Sequence, residues 1–242
     1  MGANAQTTVQ KFLSGAVLTA EQQNTSAATG VPVFATTVTR DAAFGGANKV
    51  LAEGQTCYLE DSDVVQVYKG SAWTPSSGLT FITGASFPAV QSFSLPADTF
   101  TSTYANYRIV VNRTAASGNL LMSWRGRAGG VDESSAQYLS AHIGCDWGGS
   151  TAIFVGQSGW GTSAPFGRTD TADIGGWVMD IIAPKLSGFT KTMEISMGGQ
   201  SGAAAMSGAS VFYATNSFDS MTFLLPSGTF TGSYRVYGYA NS

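Results

Sequence analysis

Hydrolysing a glycosidic bond takes two carboxyl groups flanking it, and the candidates to form such a pair are Asp132 and Glu133, Asp146, Asp170, Asp173 and Asp180. In polar, glycine-rich surroundings Asp and Glu serve mainly to turn the chain or to face water, so hydrolysis is not the expected chemistry. Asp170 and Asp173 also lack the ligand spacing of a calcium loop. The single histidine, His142, sits between Ala141 and Ile143 and reads as a structural or surface residue, not a general base. Two near-matches to the nucleophile elbow, Gly84-Ala85-Ser86-Phe87-Pro88 and Gly208-Ala209-Ser210-Val211-Phe212, both lack the final glycine. Gly159-Trp160-Gly161-Thr162-Ser163-Ala164 imitates a dinucleotide fingerprint in letters, without the strand-to-helix setting that chemistry needs. Cys57 and Cys145 are too far apart for metal-ligand spacing and form no disulfide framework, so both read as reduced thiols. The expectation is a non-enzymatic chain with no cofactor and no metal.

Binding has better material. Trp147, Phe154, Trp160, Phe166 and Trp177 are interspersed with Gly, Ser, Thr and Asp. Tryptophan faces stack on sugar rings and anchor protein interfaces, while Asp holds hydroxyls. Phe154 and Trp177 fall inside strand signals and are expected in a core. Trp147 and Trp160 stand in glycine-rich loops and, with Asp146, make up the expected receptor-contact set.

The elements that must position these residues are strands. Of 242 residues, 43% are hydrophobic but only 11% charged, against roughly 25% in ordinary soluble domains. With 30 glycines and few Lys or Glu, the chain suits short strands and tight turns better than helices. A net charge of −3 provides no basic field for nucleic acid or anionic membrane, and no apolar run reaches the ~18 residues of a spanning helix. The stretch 11–20 is too weakly apolar for a secretory signal and is expected to belong to the mature protein.

Three regions are expected. Residues 1–30 form an attachment segment, with Thr19 capping a short helix at 20–24. Residues 31–77 form a small β neck, in which Thr56–Leu59 and Val64–Tyr68 make a hairpin around Glu60-Asp61-Ser62-Asp63. A unit this small needs partner chains or a neighbouring domain. Residues 78–242 form a head with nine strand signals, at Thr80–Ile82, Tyr107–Val111, Leu120–Arg125, Ala152–Val155, Trp177–Ile182, Met193–Met197, Ser210–Tyr213, Met221–Leu225 and Tyr234–Tyr239. With no helix between them, they predict an all-β fold, an antiparallel β-sandwich of jelly-roll type. Within the head, Leu95-Pro96-Ala97-Asp98-Thr99-Phe100-Thr101-Ser102-Thr103-Tyr104 echoes Leu225-Pro226-Ser227-Gly228-Thr229-Phe230-Thr231-Gly232-Ser233-Tyr234. The two copies are expected to form equivalent bends.

Val33-Phe34-Ala35, Arg40-Asp41-Ala42-Ala43-Phe44, Gly54-Gln55-Thr56-Cys57-Tyr58-Leu59 and Tyr68-Lys69-Gly70-Ser71-Ala72-Trp73 together resemble a module of tailed-bacteriophage virion proteins. The segment Gly15–Asn24 is similar to the lead that often precedes that module. Gly78–Ile82, Phe100–Val110 and Gly232–Tyr239 resemble a C-terminal head domain of phage tail fibres and related appendages. The resemblance implies a homotrimeric virion component, held to other tail or capsid proteins by its N-terminal segment and displaying the head to a host-surface glycan or protein. A tail fibre is the first expectation and a head fibre or capsid-decoration protein the second. The competing class is a carbohydrate-active enzyme or lectin.

Overall fold

The computed structural model describes residues 15, 17, 19, 30–44, 51–76, 78–145, 152–156 (backbone only), 160–169, 171, 174–197 and 205–239. The break between its two compact units falls between Gly78 and Leu79.

In the first unit, β1 (Val33–Phe34) leads into α1 (Thr37–Phe44), followed by β2 (Thr56–Leu59), β3 (Val64–Lys69) and β4 (Ala72–Pro75). β2 and β3 form the expected hairpin, pairing Thr56 with Val67 and Leu59 with Val64, with Asp63 in the left-handed region at its turn. The helix α1 stands where the sequence suggested only strand. Thr36 and Thr39 cap it reciprocally: the Thr39 amide donates to Thr36 Oγ1 (3.3 Å) and the Thr36 amide to Thr39 Oγ1 (3.1 Å). Its inner face sends Ala43 and Phe44 into a core with Phe34, Cys57 and Leu59. Arg40 lies buried over the Trp73 ring at 5.0 Å and donates to Asp41 and Gln66. The helix expected at 20–24 lies outside the described residues.

The second unit is an all-β antiparallel sandwich. Its strands are β5 (Leu79–Val90), β6 (Ser92–Ser94), β7 (Asn106–Ala116), β8 (Leu121–Ala128), β9 (Val131–Asp132), β10 (Tyr138–Cys145), β11 (Ala152–Gly156), β12 (Ala164–Arg168), β13 (Gly175–Ile182), β14 (Thr190–Met197), β15 (Ala205–Phe212), β16 (Ser220–Leu224) and β17 (Phe230–Tyr239). One sheet has eight strands in the order β11-β10-β15-β14-β13-β7-β17-β5; the other runs β12-β8-β16-β6, with β9 beside β8. Pro88 in β5 is tolerated because that strand is an edge. Between the sheets, Phe93 stacks on Phe87 (4.2 Å) and on Tyr234 (5.4 Å), while Trp177 meets Phe166 and Phe223 at 5.4 Å each. Burying side chains of this size, at about 1.5–3 kcal/mol each, is what holds two sheets together.

The echoed segments are equivalent crossovers. One carries the chain from β6 to β7 and the other from β16 to β17, so each passes from the smaller sheet to the larger. β6 pairs with β16 about Phe93 and Phe223, and β7 pairs with β17. The Leu95 amide donates to the Met221 carbonyl (2.9 Å) and the Leu225 amide to the Gln91 carbonyl (3.0 Å), a reciprocal pair that expresses a local twofold. Asp98 and Gly228, equivalent in the echo, both take positive φ, 57° and 69°. After that the copies diverge: Tyr234 lies within β17, whereas Tyr104 precedes β7 and packs where a side chain on Gly238 would otherwise stand.

Candidate functional site

Trp160 is half exposed, as a loop tryptophan of the receptor-contact set should be, whereas Asp146 and Trp147 lie outside the described residues. What holds Trp160 is the residue after it. Gly161 and Tyr138 exchange two backbone hydrogen bonds of 3.0 Å each in an isolated bridge, and the Tyr138 ring is rooted in the core against Phe212 (4.8 Å) and Trp124 (5.2 Å).

Two aromatics not anticipated from sequence join it. Tyr213 follows the fully buried Phe212 and so faces the other way; its amide donates to the Gln137 carbonyl (2.8 Å). Phe189 stands just before the buried Thr190. The rings of Phe189 and Tyr213 stack at 4.2 Å and 14°, and Trp160 tilts against Tyr213 at 5.3 Å and 49°. All three are 45–52% exposed. Leu186, more exposed still, is close in sequence, and the Ser187 hydroxyl donates to the Thr215 carbonyl (3.0 Å), tying together the two segments that carry Phe189 and Tyr213. The result is an outward platform of rings on backbone fixed to the core, with the Tyr213 hydroxyl as a polar handle. Such a surface suits apolar stacking on a sugar face or on a side chain of a partner.

The three described candidate carboxylates are engaged elsewhere. Asp132 pairs with Arg127 (2.8 Å) and accepts from Thr222 (2.7 Å). Glu133 accepts from Asn216 (2.6 Å) and from the Ser135 amide (2.8 Å). Asp180 receives both Arg108 Nε (2.8 Å) and Nη2 (2.7 Å), with the Tyr239 hydroxyl at 2.7 Å. Burial alone would raise the Asp180 carboxyl, but the hydrogen bonds from Arg108 and Tyr239 and the Arg108 charge outweigh it and hold it below the usual carboxylate range. A general acid needs the opposite shift. Asp170 and Asp173 lie outside the described residues.

His142 is fully enclosed between the sheets, where Nε2 meets Glu194 Oε2 at 3.1 Å and the Thr192 hydroxyl donates to the other Glu194 oxygen. β15 runs between the strands that carry them, and its Gly208 is the register partner of both His142 and Glu194. A side chain there would collide with the His142 ring and the Ala141 carbonyl, so glycine is what lets the pair meet across the middle strand. With neither group open to solvent, the pair acts as a structural tie. Among the described residues no cluster of three metal-ligating side chains occurs, and no helix is long and apolar enough to cross a membrane.

Compared with protein-family models, curated proteins and solved structures, the chain finds no match.

Proposed function

We propose that the chain is a structural component of a bacteriophage virion, a short homotrimeric fibre or spike of the tail, that works by binding and not by catalysis. Its N-terminal segment holds other virion proteins, and its sandwich head meets a host-surface glycan or protein. Three things support this reading: the virion-protein motifs in order along the chain, the low-charge β head, and, carrying the most weight, the exposed platform of Trp160, Tyr213 and Phe189. Asp146 and Trp147, close to Trp160 in sequence, remain candidates for the same contact.

The test is adsorption of particles to host cells with Trp160→Ala and Tyr213→Ala combined. A loss of a core contact of this kind is expected to weaken binding about 30-fold or more. Unchanged adsorption by particles that carry intact protein would end the contact role. Fractionation of the virion decides the location: co-purification with DNA-filled heads instead of tails would make the chain a head fibre or decoration protein.

A further inference from the structure

β14 is turned inside out. Thr190, Thr192, Glu194 and Ser196 face the interior of the sandwich, while Met193, Ile195 and Met197 face outward, each more than half exposed. A slip of one residue would exchange the two sets, yet the ties from His142 and Thr192 to Glu194 fix the register with the polar side in. The outward side is therefore apolar by construction.

The neighbouring strands extend the pattern. Beside the β14 ridge, β15 presents the small residues Ala205, Ser207 and Ala209, and beyond them β10 presents the exposed Ile143. The face is thus a ridge next to a trough. One end of the trough is an apolar hollow of about 410 Å³, bounded by Ile143, Ile195 and Ala205 among others, with room for a few Met- or Ile-sized side chains. Among the described residues charge is nearly absent: on the adjoining β13 Asp180 is neutralised by Arg108, and on β14 Lys191 lies at the margin.

We infer that this face binds a second copy of the same chain, the Met193-Ile195-Met197 ridge of one entering the Ala205-Ser207-Ala209 trough of another. A ridge beside a matching trough is what identical subunits need, because each copy supplies both halves of the contact. An uncharged face meets its own copy without like-charge repulsion, and methionine adapts to the fit. Met193, Ile195, Met197 and Ile143, each more than half exposed, form an apolar patch of the few-hundred-Å² size that a monomer rarely exceeds, a substantial share of the roughly 800 Å² per partner of a standard interface. The inference rests on the homo-oligomeric part of the reading above and not on the virion or the receptor platform.

Cys145 lies exposed at the edge of this face, opposite Ala205, and Cys57 is buried in the other unit, so the chain carries its own probe and control. The experiment measures the mass of the full chain by light scattering, together with the rate of maleimide labelling, for the native protein, Ile195→Lys and Ser207→Trp. Near-UV circular dichroism reports whether each variant is folded. The native chain is expected to be oligomeric with Cys145 protected. Folded Ile195→Lys, which puts a charge on the ridge, and Ser207→Trp, which fills the trough, should each associate about 30-fold more weakly or worse and label readily. A native oligomer whose Cys145 labels as fast as in denatured chain overturns the face while leaving homo-oligomerisation standing. A native monomer overturns both, whether Cys145 is reactive or is covered by another part of its own chain.

Discussion

β7 and β14 belong to one sheet and share a neighbour, β13, yet they turn opposite chemistry inward. β7 buries Tyr107, Ile109 and Val111 and shows Arg108, Asn112 and Thr114 on its other side. β14 buries threonines, a serine and a glutamate and shows methionine and isoleucine. Alternation marks both as strands, but it does not say which face is the core. That choice is made by the neighbours: β7 faces the aromatic packing around Trp177 and Phe223, while β14 faces Gly208 and the His142 that spans it. The first half of the sheet is held by apolar burial, and the second is held in register by the polar tie of His142 and Thr192 to Glu194.

The largest test of this contrast is His142→Ala. It opens a cavity at a fully buried ring and leaves a buried Glu194 oxygen without its hydrogen-bond partner, which together should cost about 3–5 kcal/mol in chemical denaturation, whereas His142→Leu with Glu194→Met should return to within about 1 kcal/mol of the native chain or exceed it. A loss under about 1 kcal/mol for the single variant would erase the distinction between the two halves. Next comes a matched pair. Ile109→Ala opens a cavity and should cost about 2–5 kcal/mol, while Ile195→Ala in dilute, dissociated protein should stay within about 0.5 kcal/mol. Raising the protein concentration should bring a further loss in the second variant alone, because only there does association contribute to stability.

The smallest effect concerns Asp180, at the boundary between the halves. Its folded-state pKa is lowered, so the stability it contributes is present above the ordinary carboxylate value and is lost as pH falls through the lower folded value. Both partners are partly exposed, so solvent screening limits the effect to about 1 kcal/mol or less, confined to below about pH 4. Arg108→Ala should flatten that acid limb in a series of thermal melts; an unchanged limb would remove the pair from the account.

Much of the head was legible because its strands carry β-branched and aromatic residues at period two. All nine sequence-derived strand signals fall on strands, with Leu120, Tyr213 and Leu225 each one residue outside, and the Leu-Pro echo marks two related crossovers. The strands passed over were those whose side chains speak weakly: β12 contains Pro165 and Gly167 around an irregular register, and β10 alternates through Ala141, His142 and Gly144. The helix α1 was hidden because threonine and valine at its start favour strands, and its stability comes from Phe44 and Arg40 packing on Trp73. At the aromatic platform, the glycine-rich setting was enough to pick out Trp160. Phe189 and Tyr213 were not legible as its companions, since each looks like the end of a strand until pairing brings the three segments together.

The position of β17 bears on how the head is made. The last strand of the head does not add to an edge; it fills the gap between β7 and β5, strands that leave the ribosome far earlier. Contacts of such long sequence separation form late and slowly, and until Phe230–Tyr239 arrives two strands wait with unpaired backbone, prone to stray association. Without Phe230–Tyr239 the larger sheet cannot close between β7 and β5, so folding of the second unit waits on that strand.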